Sequence, residues 1–146
     1  MVTVKKISIN ELPLLVQISY KGDGELPNYF INNQSDYMLI VNGELFNIYE
    51  LATSMKLKYY KVIYQKKPIG YFVAFENTLY SFAINIKYRK KEILSNWWKE
   101  LSKTMNKGFT CYLYEKNKRA IDFLEKNRMK IIEKDEEKKI VLFKSY

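Results

Sequence analysis

From Thr78 to Met129 the apolar residues switch between a period of two and a helical period. That switching constrains the chain more than any other feature. Thr78–Ile86 reads as a strand and Lys87–Lys91 as a basic turn. From Glu92 to Asn106 the residues Ile93, Trp97 and Leu101 recur at i, i+4 and i+8, with Leu94, Trp98 and Met105 beside them, which makes one broad apolar helix face. Phe109–Tyr114 alternates as a second strand, and Asn117–Asn127 reads as a second amphipathic helix. Strands separated by helices of this length pair in parallel through right-handed crossovers. The spacing therefore predicts that Phe82, Ile84, Trp97, Leu101, Leu113, Ile121 and Leu124 face a shared core.

Composition narrows the class. A chain of 146 residues that is 47% hydrophobic and poor in Gly and Pro reads as one folded domain over residues 1–146, not a disordered or fibrous protein. No apolar run reaches the length of a membrane span, and the N-terminal residues lack a signal peptide's apolar stretch. The single cysteine, Cys111, falls in a predicted strand, where core packing is its expected role. No disulfide framework is available to the monomer, and the expected compartment is reducing and cytoplasmic. The net charge of +9 is unevenly placed. Residues 1–55 are acidic on balance and the remainder is strongly basic, which suits an anionic partner or a soluble surface.

The flanks complete the order. Val2–Ile9 reads as an edge strand. Asn10 caps a predicted helix running from Glu11 to Tyr20, with Pro13 in its first turn. Glu25–Gln34 reads as a loop that lines a pocket. Ser35 or Asp36 caps a second predicted helix reaching Ser54, weakened by Gly43. Leu57–Tyr64, Ile69–Phe75 and Thr78–Ile86 form an antiparallel meander, and Met129–Lys134 with Lys139–Lys144 form a closing hairpin. The expectation is an α/β (α+β) domain ordered strand, two helices, three strands, helix, strand, helix, two strands.

That order, together with Asn117-x-x-Ala120-Ile121-x-Phe123-Leu124-Glu125-Lys126-Asn127-x-Met129, Pro68-Ile69-Gly70 and a fourth strand running into Tyr88-Arg89-Lys90, resembles the GNAT superfamily of N-acetyltransferases over nearly the whole chain. The resemblance implies a mixed sheet whose fourth and fifth strands splay apart to admit acetyl-CoA. It places the pantetheine arm against the backbone of Phe82, Ala83, Ile84, Asn85 and Ile86, with Asn117 facing it. It places the pyrophosphate at the turn Tyr88, Arg89, Lys90, Lys91. Elementary physics agrees on the last point, since a turn opening a helix presents unpaired N–H groups and the positive end of a dipole to an anion.

The departures from the family pattern are equally specific. Glu92 and Leu94 fill the two small positions of the pyrophosphate loop, where glycine lets backbone approach phosphate. Glu92 also sets a carboxylate near the anion. Leu124 stands where the family often has a tyrosine acid, and Arg128 where it has a helix-ending glycine, which leaves Asn127 as the expected left-handed cap. With no histidine and one cysteine, a His base and a His- or Cys-built metal site are both excluded. The base is a carboxylate, Glu76 or Glu44, or an ordered water.

The resemblance implies an acyl-CoA-dependent N-acyltransferase using an amine acceptor. The alternative is a catalytically inactive GNAT-like scaffold that binds a protein partner, similar to virion or assembly proteins of tailed phages. Nucleic acid is disfavoured as a partner, because the aromatic residues sit where a core claims them and no nucleic-acid motif accompanies them.

Overall fold

The computed structural model describes residues 1–22, 38–41, 44–47, 50 and 54–145. Its strands are β1 (Val2–Ile7), β2 (Met38–Val41), β3 (Glu44–Asn47), β4 (Lys58–Tyr64), β5 (Lys67–Phe75), β6 (Thr78–Ile84), β7 (Thr110–Tyr114), β8 (Lys130–Asp135) and β9 (Ile140–Lys144). The α-helices with both bounds among the described residues are α1 (Leu12–Tyr20), α2 (Lys91–Thr104) and α3 (Lys118–Lys126). Seven strands form one mixed sheet in the order β1-β4-β5-β6-β7-β9-β8, and β2-β3 is a separate hairpin. Within the sheet only β6 and β7 run parallel. No described helix is long and apolar enough to cross a membrane.

Two cores sandwich the sheet. On one face α2 and α3 bury Ile93, Trp97, Trp98, Leu101 and Leu124 against β-strand residues such as Phe72, Leu79, Leu113 and Phe143. On the other face α1 buries Leu12, Leu15 and Val16 against Tyr59, Tyr71, Val73 and Ala83. The expected core holds: Trp97, Leu101, Ile84, Leu113 and Leu124 are buried, while Phe82 and Ile121 are partly buried and pack against it.

Local chemistry explains most element ends, and it corrects several expectations. Asn10 is not a cap: it lies inside a 3-10 turn over Ile9–Glu11 that follows Ser8, and the α-helix proper begins at Leu12, with Pro13 in its first turn and no side chain capping either start. Asn117 does cap α3, its carboxamide oxygen accepting from the Ala120 N–H at 3.4 Å. At the other end of α3 the left-handed residue is Arg128 (φ 66), not Asn127. Asn127 instead donates its side-chain N–H to the Phe123 carbonyl at 2.8 Å, and the left-handed turn passes to the next residue.

The largest correction concerns the helix expected from Ser35 or Asp36 to Ser54. Its middle is β2 paired antiparallel with β3, in the register Met38↔Asn47 to Val41↔Glu44. The sequence carried the signal. Asn-Gly between two apolar runs is a hairpin signal in sequence terms, and Val41 pairs with Glu44 on either side of it. Glu50 and Ser54 are helical. The expected loop Glu25–Gln34, the cap at Ser35 or Asp36 and Gly43 lie outside the described residues.

Gly70 of β5 leaves no room for a side chain against β6. A Cβ there would lie 2.3 Å from the Ala83 carbonyl oxygen and 2.6 Å from a methyl of Ile84. Gly70→Ala should therefore destabilise by about 1–3 kcal/mol through overpacking against backbone that has no room to yield. Leu101, fully buried on α2, should cost about 2–5 kcal/mol when cut to Ala. Chemical denaturation of both variants checks these values, with an unchanged midpoint in either one contradicting the packing described.

Candidate functional site

The parallel pair is the anomaly of the sheet. β6 and β7 pair only at Thr78↔Thr110 and Leu79↔Cys111. Beyond that point β6 continues to Ile84 on its β5 partner, and β7 continues to Tyr114 on its β9 partner, without pairing to each other. The sheet therefore contains an inner split, closed at Thr78/Thr110 and open toward Ile84 and Tyr114. Such an edge offers backbone donors and acceptors to an extended ligand.

A bulge sits beside the last rung. Across β5, Val73 faces Ser81 while Ala74 faces Leu79, so Tyr80 is the extra residue. A bulge withdraws backbone groups from the ladder and re-aims side chains. Tyr80 is half-buried against the α1-side core, and Ser81, which is buried, shares a 2.9 Å hydrogen bond with the Tyr71 hydroxyl. The Thr78 and Thr110 hydroxyls are 3.0 Å apart at the closed end. The hairpin strand β2 lies against both β6 and β7. Sequence spacing does not reveal the bulge, because Thr78–Ile84 alternates well enough to read as a regular strand.

On the α2 side the split is backed by aromatic rings. Trp97 stacks on Phe123 of α3 at 5.4 Å and lies 5.7 Å from Phe82 of β6. Its indole Nε1 is buried without an acceptor among the described residues. The N–H donors of the Asn117 carboxamide also have no partner there.

The turn leaving β6 is a 3-10 turn over Ile86–Tyr88, capped by Asn85, whose oxygen accepts from the Lys87 N–H at 2.9 Å. Asn85 is buried, and it donates to the carbonyls of Ile18 at 2.7 Å and Lys21 at 3.4 Å. Its side chain thus ties the end of β6 to the end of α1. Arg89 folds back so that Nε donates to the Ile84 carbonyl at 2.8 Å. Lys90 is the N-cap of α2 in extended conformation, and no side chain caps the helix. The first turn of α2 therefore presents N–H groups that the helix itself leaves unpaired. Glu92 lies within that turn and is exposed, and Leu94 is half-buried against the core.

Thus Phe82, Ala83 and Ile84 line the split, Asn85 to Lys91 form the turn at its open end, and Asn117 stands at the matching end of β7. The two candidate bases come from other elements. Glu76 is exposed at positive φ (51) in the β5–β6 turn, at the closed end, and Glu44 lies on β3 with its side chain outside the described residues. Leu124 is fully buried in the core. No group of three or more potential metal ligands occurs among the described residues.

Known structures share this chain path. An acetyltransferase from Salmonella typhimurium that modifies the N-terminal serine of ribosomal protein L7/L12 matches with a TM-score of 0.64 at 10% identity, over 99% of this chain and 94% of that one. The GNAT domain of PAT from S. lividans matches with a TM-score of 0.63 at 8% identity, over 97% and 88%. The chain has the fold of the GNAT N-acetyltransferases. The N-acetyltransferase PseH of Campylobacter jejuni, in complex with acetyl coenzyme A, matches with a TM-score of 0.56 at 13% identity, over 99% and 97%. No family model and no curated relative matches the sequence. The split between β6 and β7 is the splay expected of a GNAT fold between its fourth and fifth strands.

Burial pushes the Cys111 thiol and the phenols of Tyr60, Tyr80 and Tyr114 up from their ordinary values of 9.0 and 10.0. For Tyr80 the Tyr112 and Glu76 charges add to this, and a hydrogen bond with Thr78 opposes it. The unfolded chain releases these protons at lower pH than the folded protein does. Stability should be flat with respect to these groups below pH 9.0 and fall as pH rises past it, more steeply past 10.0. Denaturant midpoints measured across that range check the sign. Cys111 should also resist thiol reagents until the protein unfolds.

Proposed function

We propose that this protein is an acyl-coenzyme A-dependent N-acyltransferase that passes an acyl group, acetyl in the simplest case, to an amine by direct attack. The observation that carries the reading is the inner split of the sheet, with a bulge at its last rung and an uncapped helix N-terminus beyond its open end. In PseH the same fold holds acetyl coenzyme A.

The residues present suit such a donor. The pantetheine arm is an extended chain with amides, and the unpaired edges at Phe82–Ile84 and the Asn117 carboxamide offer it complementary groups. Trp97 Nε1, a buried donor lacking an acceptor, backs the same split. Lys87, Lys90 and Lys91, with the α2 N-terminus, supply positive potential for the diphosphate. When bound, coenzyme A supplies the acyl group as an activated thioester.

The chain's own groups have distinct tasks. Backbone freed at the Tyr80 bulge would polarise a carbonyl placed beside it, which is the strongest single contribution such a site makes. The aromatic backing of Trp97, Phe82 and Phe123 excludes water. Tyr80, at the bulge on the α1 side of the sheet, offers a hydroxyl that burial pushes further toward the neutral form. Glu76, whose charge reaches Tyr80, remains a candidate base beside Glu44, an ordered water or a group of the acceptor.

A second reading rests on a specific observation as well. Glu92 and Leu94 obstruct backbone approach to phosphate, and Leu124 is committed to the core, so the fold also suits a scaffold without catalysis that binds a protein partner. A calorimetric titration with acetyl-CoA at low salt separates the two. Binding supports the enzyme reading, and no binding at millimolar concentration supports the scaffold. Lys90→Ala/Lys91→Ala should weaken binding by about 1–3 kcal/mol through lost charge-assisted contacts. Glu92→Gln should strengthen it by removing a nearby negative charge. Equal affinity across wild type and both variants would remove the turn from the site.

A further inference from the structure

Two separate turns bring cations together near the open end of the split. Tyr64 closes β4 and pairs with Lys67 of β5 across Gln65 and Lys66, both at positive φ (50 and 65). Directly paired residues project to the same face of a sheet. Tyr64 packs with the α2-side core, so Lys67 emerges on that face. The Tyr64 ring meets the Tyr88 ring edge-on with centroids 6.0 Å apart, which sets the β4–β5 turn beside the turn that opens α2. Lys66, Lys67, Lys87 and Lys90 are exposed, and none has an ion-pair partner among the described residues.

Folding does not require this arrangement. Like charges gathered around two half-buried rings repel one another, and the described acidic residue closest in sequence to the second turn is Glu92, already on the helix. We propose that Lys66 and Lys67, with the Tyr64–Tyr88 pair, hold the 3′-phosphate and adenine of a nucleotide-bearing acyl donor. This inference rests on the N-acyltransferase reading.

The chemistry matches in three ways. A phosphomonoester carries close to two negative charges at neutral pH, and lysine ammoniums bind it as point charges. The tyrosine rings present apolar edges and faces to a purine. Glu92 and Leu94 limit what backbone contributes to phosphate binding, which shifts the task to side chains drawn from a second loop.

The test compares acetyl-CoA with its 3′-dephospho form by calorimetry at one ionic strength. Wild type is expected to prefer the 3′-phosphorylated form by roughly tenfold or more, the scale of one charge-assisted contact. Lys66→Asn/Lys67→Gln, which keeps a residue tolerant of positive φ at position 66, is expected to bind both forms alike. Equal affinity in wild type overturns the inference. So does discrimination that survives in Lys66→Asn/Lys67→Gln, or that disappears instead in Lys118→Gln at the start of α3. Failure of wild type to bind either form overturns the N-acyltransferase reading itself, and that outcome is distinct from binding without discrimination.

Discussion

Trp97 holds the architecture of the split in place. Its ring lies between Phe82 on β6 and Phe123 on α3, the helix that follows β7. Two parallel strands with free edges zip together unless something occupies the space between the elements attached to them. The stack of Trp97 on Phe123, with Trp98 edge-on to both rings and in contact with Phe109, fills that space with apolar surface on the α2 side. The helix that carries these tryptophans also carries the basic turn at its start. One element thus props the strands apart and delivers positive charge to the opening.

Stability and site construction make different demands on the ends of β6. At its start, the Thr78–Thr110 hydroxyl contact and the two rungs to β7 join the halves of the sheet. At its end, Asn85 is fully occupied, accepting from Lys87 and donating to the carbonyl end of α1. Arg89 likewise braces the Ile84 carbonyl. Two residues expected to meet a ligand therefore spend at least part of their hydrogen-bonding capacity on the fold. The mobile charge at the site falls to lysines whose ammoniums the protein leaves in water.

The sequence was most legible where a single period dominates. The i, i+4, i+8 spacing of Ile93, Trp97 and Leu101 set the phase of α2 correctly, and the alternating strands from Lys58 to Ile84 and the Asn117 cap appeared near where they were expected. The β2–β3 hairpin is hidden in the sequence because Tyr37, Ile40, Val41, Leu45, Ile48 and Leu51 also fit a helical spacing, with Gly43 its one interruption. The bulge at Tyr80 left no trace, since it depends on how β5 is paired and not on the residues of β6 alone. The same holds for the Tyr64–Tyr88 contact, which joins residues from two turns. Site residues contiguous with a motif were legible; those assembled by register were not.

The seam between β6 and β7 also bears on how the chain reaches its folded state. The meander from β4 to β6 closes through short turns, whereas Thr78 and Thr110 are 32 residues apart and are joined through α2. Non-local parallel pairing of this kind is a late event, because its loop must be ordered before the contact is made. On contact-order grounds the β4–β6 meander is expected to form before the seam. A ligand bridging the seam would add its binding free energy to the least cooperative part of the molecule, so that occupancy and the completion of folding become one equilibrium.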